Sequence, residues 1–595
     1  KVPLTKVKST EQKQTAQSLL FTKLKPALET EFRQVKRETD RLNISHTTFQ
    51  QYYKGIKVEH GVIKTHSKNG QIETYGGAYF NPAILSITPR ISSQQVIREA
   101  KRFFSTESVF WIEGDNIVKE MDVTPELVIL PNRTKRELNL AYAITCGASK
   151  PELKMGTFYV DAITGKVLKF KNQVFTCFES KADHTTVKNT VQPFVSGTGA
   201  TVYSGSQTIE TTLDGADYIL YDQSRANTGS SHDAGIATKN GIATVNYNHN
   251  NVITNYNSSS VVTEFTDGNN NWTAANMSSD EDQYALDAHW GAQVVYDYFK
   301  GEHSKESYDG NDSAIVSYVH YDTDYTNAAW VSFTNNRGFM IYGDGDGSYT
   351  PLTTLDVAAH EIAHGVTNNT AQLDYELESG ALNEGFSDIW AIVVENYANN
   401  NLGTTKDISV INEGNGGGAI RSMSNPNTYN QPDTYGGTYW YDVTGCTPDV
   451  NTNDYCGVHT NSGVLNYWFW LLSQGGTGTN DIGDAFSVTA IGMDDAAAIA
   501  YRMQNTYLTS TSDYADARNA AIQSAQDLFG ACSTQEQETT NAFYAVGVGA
   551  VYVVVNPSVT TQPSNASTCE GDATSFYAAG SDADSLQWQV DDGNG

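Results

Sequence analysis

The spacing of apolar and polar residues changes several times along this chain of 595 residues. Residues 48–58 alternate in the manner of a strand, a turn and a second strand, whereas residues 93–104 form a helix-like run. The Ala-rich stretch 355–366 carries apolar residues at helical spacing, a second helical stretch follows at 381–396, and an apolar run occupies 464–472. The pattern therefore predicts strands and helices in one chain, with two successive helices in its second half.

The first of these two helices presents residues that suit a metal ion. His360 and His364 are one turn apart, so both imidazoles lie on the same face. Glu361 lies ~100° further round the helix, where it can reach a metal-bound water instead of the metal. This pattern alone is weak evidence, because two histidines on a helix can also be structural.

The second helix supplies carboxylates at a matching spacing. Glu384 and Asp388 are also four residues apart and share a face. Glu384 can therefore be a third ligand, while Asp388 accepts the free ring N–H of a ligand histidine. Two histidines and one glutamate leave a fourth zinc position open for water, as a catalytic site requires. Carboxylates on a solvated helix face are the alternative, but no packing reason makes the whole set occur together.

Further segments strengthen the zinc interpretation by their order along the chain. They are Asn327–Trp330, Tyr342–Gly347, Arg421–Pro426, Gly457–Gly463, Ala521–Ala525 and Ala545–Val548. With the two helices, this series resembles the thermolysin-like secreted neutral zinc metalloproteases over roughly residues 195–550. The resemblance implies a β-rich N-terminal lobe that carries the zinc helix and a mainly α-helical C-terminal lobe.

The same resemblance implies catalytic roles. Glu361 would be the general base, and His459 and Tyr375 would donate hydrogen bonds to the oxyanion, with Asp454 orienting His459. Zinc lowers the pKa of its water toward ~7, and a neighbouring glutamate can pass the proton to the leaving amine. A lone histidine is more often structural, but His459 lies at a predicted loop-to-helix junction, where catalytic groups are common.

Substrate-binding residues are also implied by the resemblance. Asn327, the backbone of Ala328, and Arg421 would hold the substrate main chain. An apolar pocket for the residue after the cut would be lined by Tyr349, Leu352, Val357 and Ile420. The expected activity is hydrolysis of peptide bonds on the N-terminal side of apolar residues.

The family binds structural calcium beside the zinc helix, and two ligands match here. These are Asp356 and Glu395. The next acidic segment, 399–413, does not match cleanly, and Asn401, Asp407 or Glu413 could complete a site. Calcium requires six to eight oxygens, so we expect at least one ion and leave the ligand set open. The alternative for Asp356 is a carboxylate that faces the N-terminus of a helix.

The six cysteines and the absence of metal-finger spacing suit an oxidising compartment. Cys446 and Cys456 bracket a short loop just before His459, and we expect a disulfide there instead of two free thiols. The sequence does not assign partners for the other four, which are Cys146, Cys177, Cys532 and Cys569.

Charge divides the chain into a basic and an acidic part. Residues 1–180 contain 27 Lys and Arg against 18 Asp and Glu, whereas residues 181–595 contain 11 against 50. Opposite potentials favour docking of the two parts, although two unrelated surface compositions would look the same. The acidic excess argues against a nucleic-acid partner, and no run of eighteen apolar residues could span a membrane. We expect a monomeric, secreted protein whose leader has been removed.

The chain is too long for one domain, and its regions have different resemblances. The first two are similar to α+β propeptide modules, of fungalysin/thermolysin-propeptide type and of the small PepSY-like inhibitory type, which would assist folding and block the cleft. The last resembles a truncated all-β immunoglobulin-like segment, which could associate with the cell surface. The predicted regions are 1–90 and 91–175 (propeptide), 176–199 (linker and maturation), 200–375 and 376–552 (catalytic lobes), and 553–595 (linker and immunoglobulin-like).

Two other functions fit part of the sequence. An inactive surface or adhesion homologue would keep the fold, but it would be expected to lose one of the implied catalytic residues, and all are present. A metallo-aminopeptidase shares the zinc motif, but it needs an acidic anchor for the substrate amino terminus, which the sequence does not identify. The complete set of residues favours a zinc endopeptidase made as a zymogen.

Overall fold

The computed structural model divides into two compact units, residues 1–549 and 550–595. It describes the chain except for residues 83–84, 105–108, 114–115, 133–136, 150–152, 177–193, 236–237, 278, 280, 324, 334, 415–417, 555–557, 563, 565–574, 576 and 582–595.

The N-terminal region is built on one sheet of eleven described strands. The predicted hairpin is confirmed, because Ile44–Tyr53 and Ile56–Lys68 pair antiparallel. A parallel pairing of Lys57 and Val58 with Val128 and Ile129 joins the two predicted propeptide modules into this single sheet. Its strands are Val2–Lys6, Thr30–Thr39, Ile44–Tyr53, Ile56–Lys68, Gln71–Gly77, Phe110–Glu113, Asn116–Val118, Glu126–Asn132, Glu137–Ala148, Lys154–Asp161 and Val167–Asn172.

Two α-helices accompany this sheet in the described residues, Ala16–Leu24 and Ser93–Phe104. The second coincides with the helix-like run of the sequence. It buries one apolar face, made of Val96, Ile97, Ala100 and Phe104. This face packs in a cluster with strand residues such as Phe158, so its amphipathic pattern is what fixes the helix on the sheet.

The N-terminal catalytic lobe is rich in strands, as expected. One sheet contains Val174–Thr176, Tyr221–Asp222, Ile242–Asn250, Thr263–Glu264, Ile315–Tyr321, Ala328–Ser332 and Gly338–Tyr342. A second contains Phe194–Thr201, Gly205–Asp214, Asp217–Ile219, Thr266–Asp267 and Asn271–Trp272, and a small ribbon joins His232–Asp233 to Thr238–Lys239. The long helices are Tyr284–His303 and Leu355–Asn368.

Both ends of the predicted linker 176–199 are strands. Val174–Thr176 forms an edge of the catalytic sheet, so the predicted module boundary at residue 175 falls inside a strand. Phe194–Thr201 pairs antiparallel with Gly205–Asp214. The polar composition of residues 180–199 suggested a linker, but Gly197 is a packing site, since a Cβ there would collide with the Asn270 side chain. The linker prediction is therefore wrong at these ends, and its middle lies outside the described residues.

The C-terminal catalytic lobe is mainly helical, as predicted. Its helices are Leu377–Asn401, Val450–Asn461, Gly463–Gln474, Met493–Arg502, Met503–Tyr507 (π), Tyr514–Phe529 and Thr534–Ala545. Strand pairs are Val410–Ile411 with Arg421–Ser422 and Gly476–Thr479 with Ala485–Val488.

Short 3₁₀ helices along the chain are Glu120–Asp122, Ile253–Asn255, Ala274–Asn276, Glu281–Gln283 and Pro426–Tyr429. The first site helix ends two residues beyond the predicted 355–366, and the second extends four residues before and five beyond the predicted 381–396.

The second unit has one described strand pair, Ser558–Thr561 with Ala579–Ser581. The segments that suggested an immunoglobulin-like domain, 569–572 and 585–590, lie outside the described residues. That assignment therefore stays a prediction. Among the described helices, none combines the length and the apolar character needed to cross a membrane.

Candidate active site

Two neighbouring helices bring three ligand atoms together. Leu355–Asn368 carries His360 and His364, and Leu377–Asn401 carries Glu384, and all three side chains are buried. The Nε2 atoms of the histidines are 3.2 Å apart, and each lies 3.4 Å from an oxygen of Glu384. A tetrahedral zinc with bonds of about 2.0–2.2 Å needs ligand atoms about 3.3–3.5 Å apart. These residues therefore fit zinc.

The outer ring nitrogens of both histidines are held by acceptors. The Nδ1–H of His360 donates to Asp388 Oδ1 at 2.9 Å, as predicted, and the Nδ1–H of His364 donates to Asn383 Oδ1 at 2.9 Å. Both contacts leave Nε2 as the free ligand atom. Sequence reasoning missed Asn383, although it directly precedes Glu384 and therefore had to lie near the site.

Arg421 has a structural partner that the sequence did not predict. Its Nε and Nη2 donate to the two oxygens of Asp388 at 2.8 and 2.7 Å, and Asn466 donates to the same carboxylate at 2.8 Å. Burial alone would raise the pKa of Asp388, but Arg421 and His360 hold it at about 2. Asp388 is therefore a firmly ionised anchor for His360. The substrate-binding role of Arg421 stays a prediction.

Glu361 is fixed between its helix and the neighbouring strand. Its side chain is buried, and its Oε2 accepts a hydrogen bond from the backbone N–H of Trp330 at 2.8 Å. Trp330 belongs to the strand Ala328–Ser332, which begins beside Asn327, whose Oδ1 accepts from the N–H of Ala328 at 3.0 Å. The base and main-chain-binding groups predicted from the sequence therefore meet along one strand edge.

The opposite wall of the site is formed by His459, Asp454 and Tyr375. The Nδ1–H of His459 donates to Asp454 Oδ1 at 2.7 Å, and its Nε2 lies 3.6 Å from Glu384 Oε2. The Tyr375 hydroxyl donates to Glu384 and lies 3.2 Å from His459 Nε2. Burial lowers the pKa of His459, but Asp454 and Glu384 raise it overall to about 10. Because Asp454 engages Nδ1, Nε2 is the nitrogen that His459 presents to the site.

A left-handed turn places Asp454 and His459. Within Val450–Asn461, the residues Asp454, Tyr455 and Cys456 have φ angles of 49°, 50° and 71°. In residues other than glycine, such φ angles cost about 1–2 kcal/mol of conformational free energy each. The predicted disulfide is present and ties Cys456 to Cys446, which holds this strained turn in place. Of the other described cysteines, Cys146 is buried and free, and Cys532 is exposed and free.

The four residues predicted for the apolar pocket pack against the same core. Leu352 and Val357 are fully buried, whereas Tyr349 and Ile420 are partly exposed. That these four line one pocket for the residue after the cut stays a prediction.

The two predicted calcium ligands form a buried acidic pair. Asp356 and Glu395 are completely buried, and neither oxygen of Glu395 has a hydrogen-bond donor among the described residues. Burial and the charge of Asp356 raise the pKa of Glu395 well above its usual range. A buried carboxylate with two unused oxygens suits a hard cation such as calcium. The residues present therefore fit a structural calcium ion.

Family models match three parts of the chain. The description "Thermolysin metallopeptidase, catalytic domain" matches residues 196–368, and "Thermolysin metallopeptidase, alpha-helical domain" matches residues 371–548. The description "Fungalysin/Thermolysin Propeptide Motif" matches residues 30–79. The resemblance drawn from the motifs is confirmed, and so are the two catalytic lobes.

Curated relatives span most of the chain. A thermostable neutral protease of Geobacillus stearothermophilus is 34% identical over 524 residues, which cover 86% of this chain and 85% of the relative. Thermolysin of Alicyclobacillus acidocaldarius is 34% identical over 517 residues, with the same shares covered, and bacillolysin of Bacillus caldolyticus is 35% identical over 497 residues, 82% of this chain and 80% of the relative. This chain therefore belongs to the thermolysin metallopeptidase family, and it is a zinc- and calcium-dependent metalloendopeptidase made with a propeptide.

Proposed function

We propose that residues 1–176 keep this endopeptidase inactive by laying their last strand in the substrate cleft. We further propose that the freed catalytic unit acts outside the cell and cleaves proteins before apolar residues. The observation that carries the first proposal is a contact between the pro-segment backbone and the oxyanion donor His459, at 2.6 Å.

The last strand of the pro-segment adds to the edge of the catalytic sheet. Val174–Thr176 pairs antiparallel with the strand Ala328–Ser332, and Phe175 lies opposite Trp330. One residue earlier, the carbonyl of Gln173 accepts from the N–H of Ser332 at 2.9 Å. Strand addition of this kind is a common way for a protein to bind an extended peptide. The pro-segment supports inhibition because it uses the edge that a peptide substrate would need.

Two residues of that strand touch the catalytic groups. The Nε2–H of His459 donates to the carbonyl oxygen of Thr176, so the oxyanion donor is already engaged. The ring of Phe175 stacks on His364, with centroids 5.2 Å apart, and meets the ring of Tyr375 edge-on at 4.9 Å. With Phe175 only 4% exposed, a substrate cannot enter this part of the cleft until the strand leaves.

Charged contacts add to this docking. Asp374 directly precedes Tyr375, is completely buried, and lies 2.6 Å from Lys171 and 3.3 Å from Lys169. His60 approaches the same carboxylate to 3.2 Å. The contacts place the basic pro-segment against an acidic partner, as the charge division of the sequence suggested. Opposite charges of this kind favour the docked arrangement and its register.

In the freed enzyme, each catalytic group would have a defined task. Bound zinc would polarise the scissile carbonyl and lower the pKa of a water molecule. Glu361, fixed by the N–H of Trp330, would take the proton from that water and pass it to the leaving amine. His459 and Tyr375 would donate to the oxyanion, and each such donor is worth about 3–4 kcal/mol.

The substrate class follows from the residues near the first site helix. The apolar side chains of Leu352 and Val357 favour Leu, Phe, Ile or Val after the cut. The disulfide between Cys446 and Cys456 supports an oxidising location outside the cell.

The activity is tested with casein and processed protein, with and without a zinc chelator. Glu361→Gln keeps the zinc ligands but removes the base, so we expect a loss of about 10²–10⁴-fold in kcat/KM with zinc still bound. Internal peptide fragments are expected from the parent enzyme. Cleavage that persists both in the chelator and in Glu361→Gln would contradict the mechanism. Release of single amino acids alone would point to an aminopeptidase.

Inhibition is tested on the unprocessed chain. Phe175→Ala removes the ring between His364 and Tyr375, so initial hydrolysis of a short chromogenic peptide should rise at least about tenfold before processing begins. Phe170→Ala is the matched control, because the ring of Phe170 packs within the pro-segment, tilted against Phe103 and edge-on to Phe104. Equal rates for the two variants would contradict inhibition through the strand.

A further inference from the structure

A second charged cluster lies beside the start of the zinc helix and contains one lysine among four carboxylates. Asp356 and Glu395 are completely buried, Asp287 is 1% exposed, and the Glu413 side chain is 24% exposed. The side chain of Lys406 is only 5% exposed. An ammonium group is rarely buried so deeply unless nearby negative charge stabilises it.

The backbone and the side chain of Lys406 are both held in place. Its N–H donates to Asn399 Oδ1 at 2.7 Å, and its carbonyl accepts from Asn399 Nδ2 at 2.9 Å. Its Nζ donates to the carbonyl of Tyr203 at 3.1 Å and lies 3.8 Å from Glu413 Oε1. The ammonium is therefore positioned by three separate segments and is not a surface group that has folded inward.

Asp287 is tied to the same segment of chain. Its two oxygens accept from the N–H groups of Val202 and Tyr203 at 2.7 and 3.1 Å. Tyr203 thus links the carboxylate of Asp287, through its N–H, to the ammonium of Lys406, through its carbonyl. Burial raises the pKa values of Asp287, Glu395 and Glu413, and the positive charge of Lys406 lowers each of them.

Lys406 does not form an ion pair with every carboxylate of the cluster. In the described part of the chain, Glu413 is the carboxylate that lies within ion-pair distance of its Nζ. Glu395 keeps two buried oxygens without a donor among those same residues. With all four carboxylates ionised, one ammonium leaves excess negative charge beside the two unpaired oxygens of Glu395. A divalent cation with oxygen ligands would balance that charge.

We propose that Lys406 is a built-in counter-ion of this cluster. It contributes one fixed positive charge, so that the cluster takes a single divalent cation, calcium, at Asp356 and Glu395. The fixed ammonium also lowers the affinity for calcium, because like charges repel strongly where water is excluded. The chain thereby keeps part of the stability of the cluster when calcium is removed, at the expense of calcium affinity.

The test measures calcium binding and thermal unfolding of the full chain in the Glu361→Gln background, which stops self-digestion. After treatment with a chelator, the parent is titrated with calcium chloride in a calorimeter, and about one ion per chain should bind at this cluster. Lys406→Met should bind calcium at least about tenfold more tightly, because the opposing charge is gone. In chelator, the same variant should unfold at a lower temperature than the parent.

Lys406→Glu supplies a second measurement that does not depend on the first. An added carboxylate beside Glu413 should allow one further calcium ion to bind per chain, and calcium should restore its melting temperature. Lys305→Met is the matched control, because Lys305 is also buried, at 6% exposure, and the charged residue that most affects its pKa is Asp309. This control should lose stability without any change in calcium affinity.

Unchanged or weaker calcium binding in Lys406→Met would overturn the proposal, as would the same calcium stoichiometry in Lys406→Glu and the parent. If Lys406→Met does not fold in chelator but folds with calcium, the fixed charge is confirmed as the substitute for the ion. These outcomes are independent of peptide cleavage, so the proposed function can fail or hold without them.

Discussion

Two histidines and one carboxylate meet at two places in the described part of the chain. One group is His360, His364 and Glu384, on the paired site helices, and the other is His249, His320 and Asp344, in the N-terminal lobe. In the first group the ligand atoms are 3.2–3.4 Å apart, close to the edges of a zinc tetrahedron. In the second, each oxygen of Asp344 lies 2.5 Å from the Nδ1 of one histidine, which is a hydrogen-bond distance.

The difference lies in what occupies the second nitrogen of each ring. In the zinc group, Asp388 and Asn383 engage Nδ1 and leave Nε2 free to face the metal. In the other group, Asp344 engages Nδ1 of His320, and Asp282 lies 3.3 Å from its Nε2. Both nitrogens of His320 therefore face carboxylates, an arrangement that favours the protonated ring. The same residue types make a metal site only when the outer partners leave one nitrogen free.

The largest expected effect concerns zinc content. His364→Ala removes a ligand, so the dialysed protein should contain no zinc and casein cleavage should fall to background, whereas the parent should hold about one zinc per chain. His249→Ala, whose side chain is 47% exposed, removes a residue of the other group. It should keep the zinc and the activity, and both are measured by elemental analysis and by casein digestion. Loss of zinc from His249→Ala would break the comparison.

A smaller effect is expected from the outer partners. Asn383→Ala leaves the ligands in place but removes the 2.9 Å acceptor of the His364 Nδ1–H, with only Ser387 Oγ at 3.1 Å still near that nitrogen among the described residues, so zinc affinity should fall about 10–100-fold in a competition titration with a chromogenic chelator. Asp282→Asn is the matched change in the other group and should leave zinc affinity unchanged. If both variants bind zinc like the parent, the outer hydrogen bonds do not distinguish the two groups.

The zinc ligands could be predicted because their geometry is local. Residues four apart on a helix share a face whatever the rest of the fold does, so His360, His364 and the pair Glu384 and Asp388 were found from spacing alone. Asn383 was missed because an amide beside a ligand is a common residue in any helix. The pairing of Arg421 with Asp388 also joins side chains 33 positions apart, which no spacing rule connects.

For a related reason, the pairing of the last pro-segment strand could not be predicted from the sequence. Val174–Thr176 lies more than 150 residues before the edge strand Ala328–Ser332 in the chain, and any extended segment could fill that edge. The left-handed turn at Asp454 was also hidden, because its residues are not the glycines that usually mark such angles. Register and strain are set by tertiary contacts, whereas helix faces are set by the residues themselves.

The last expected effect is a pH dependence of stability to which the second group contributes. Burial lowers the pKa of His320, but Asp282 and Asp344 raise it overall to about 9, and His249 is the other ionisable group that faces Asp344. The unfolded value is about 6.5, so this contribution is complete below pH 6.5 and is lost as the pH rises through 9. The free energy of unfolding should therefore fall by up to about 3 kcal/mol over this interval.

His320→Gln should flatten that fall in urea titrations at each pH, whereas His289→Gln should not, because burial lowers the pKa of His289 to about 4 and keeps it neutral throughout. Equal slopes for the parent and His320→Gln would mean that no proton holds the second group, and the contrast with the zinc site would lose its basis.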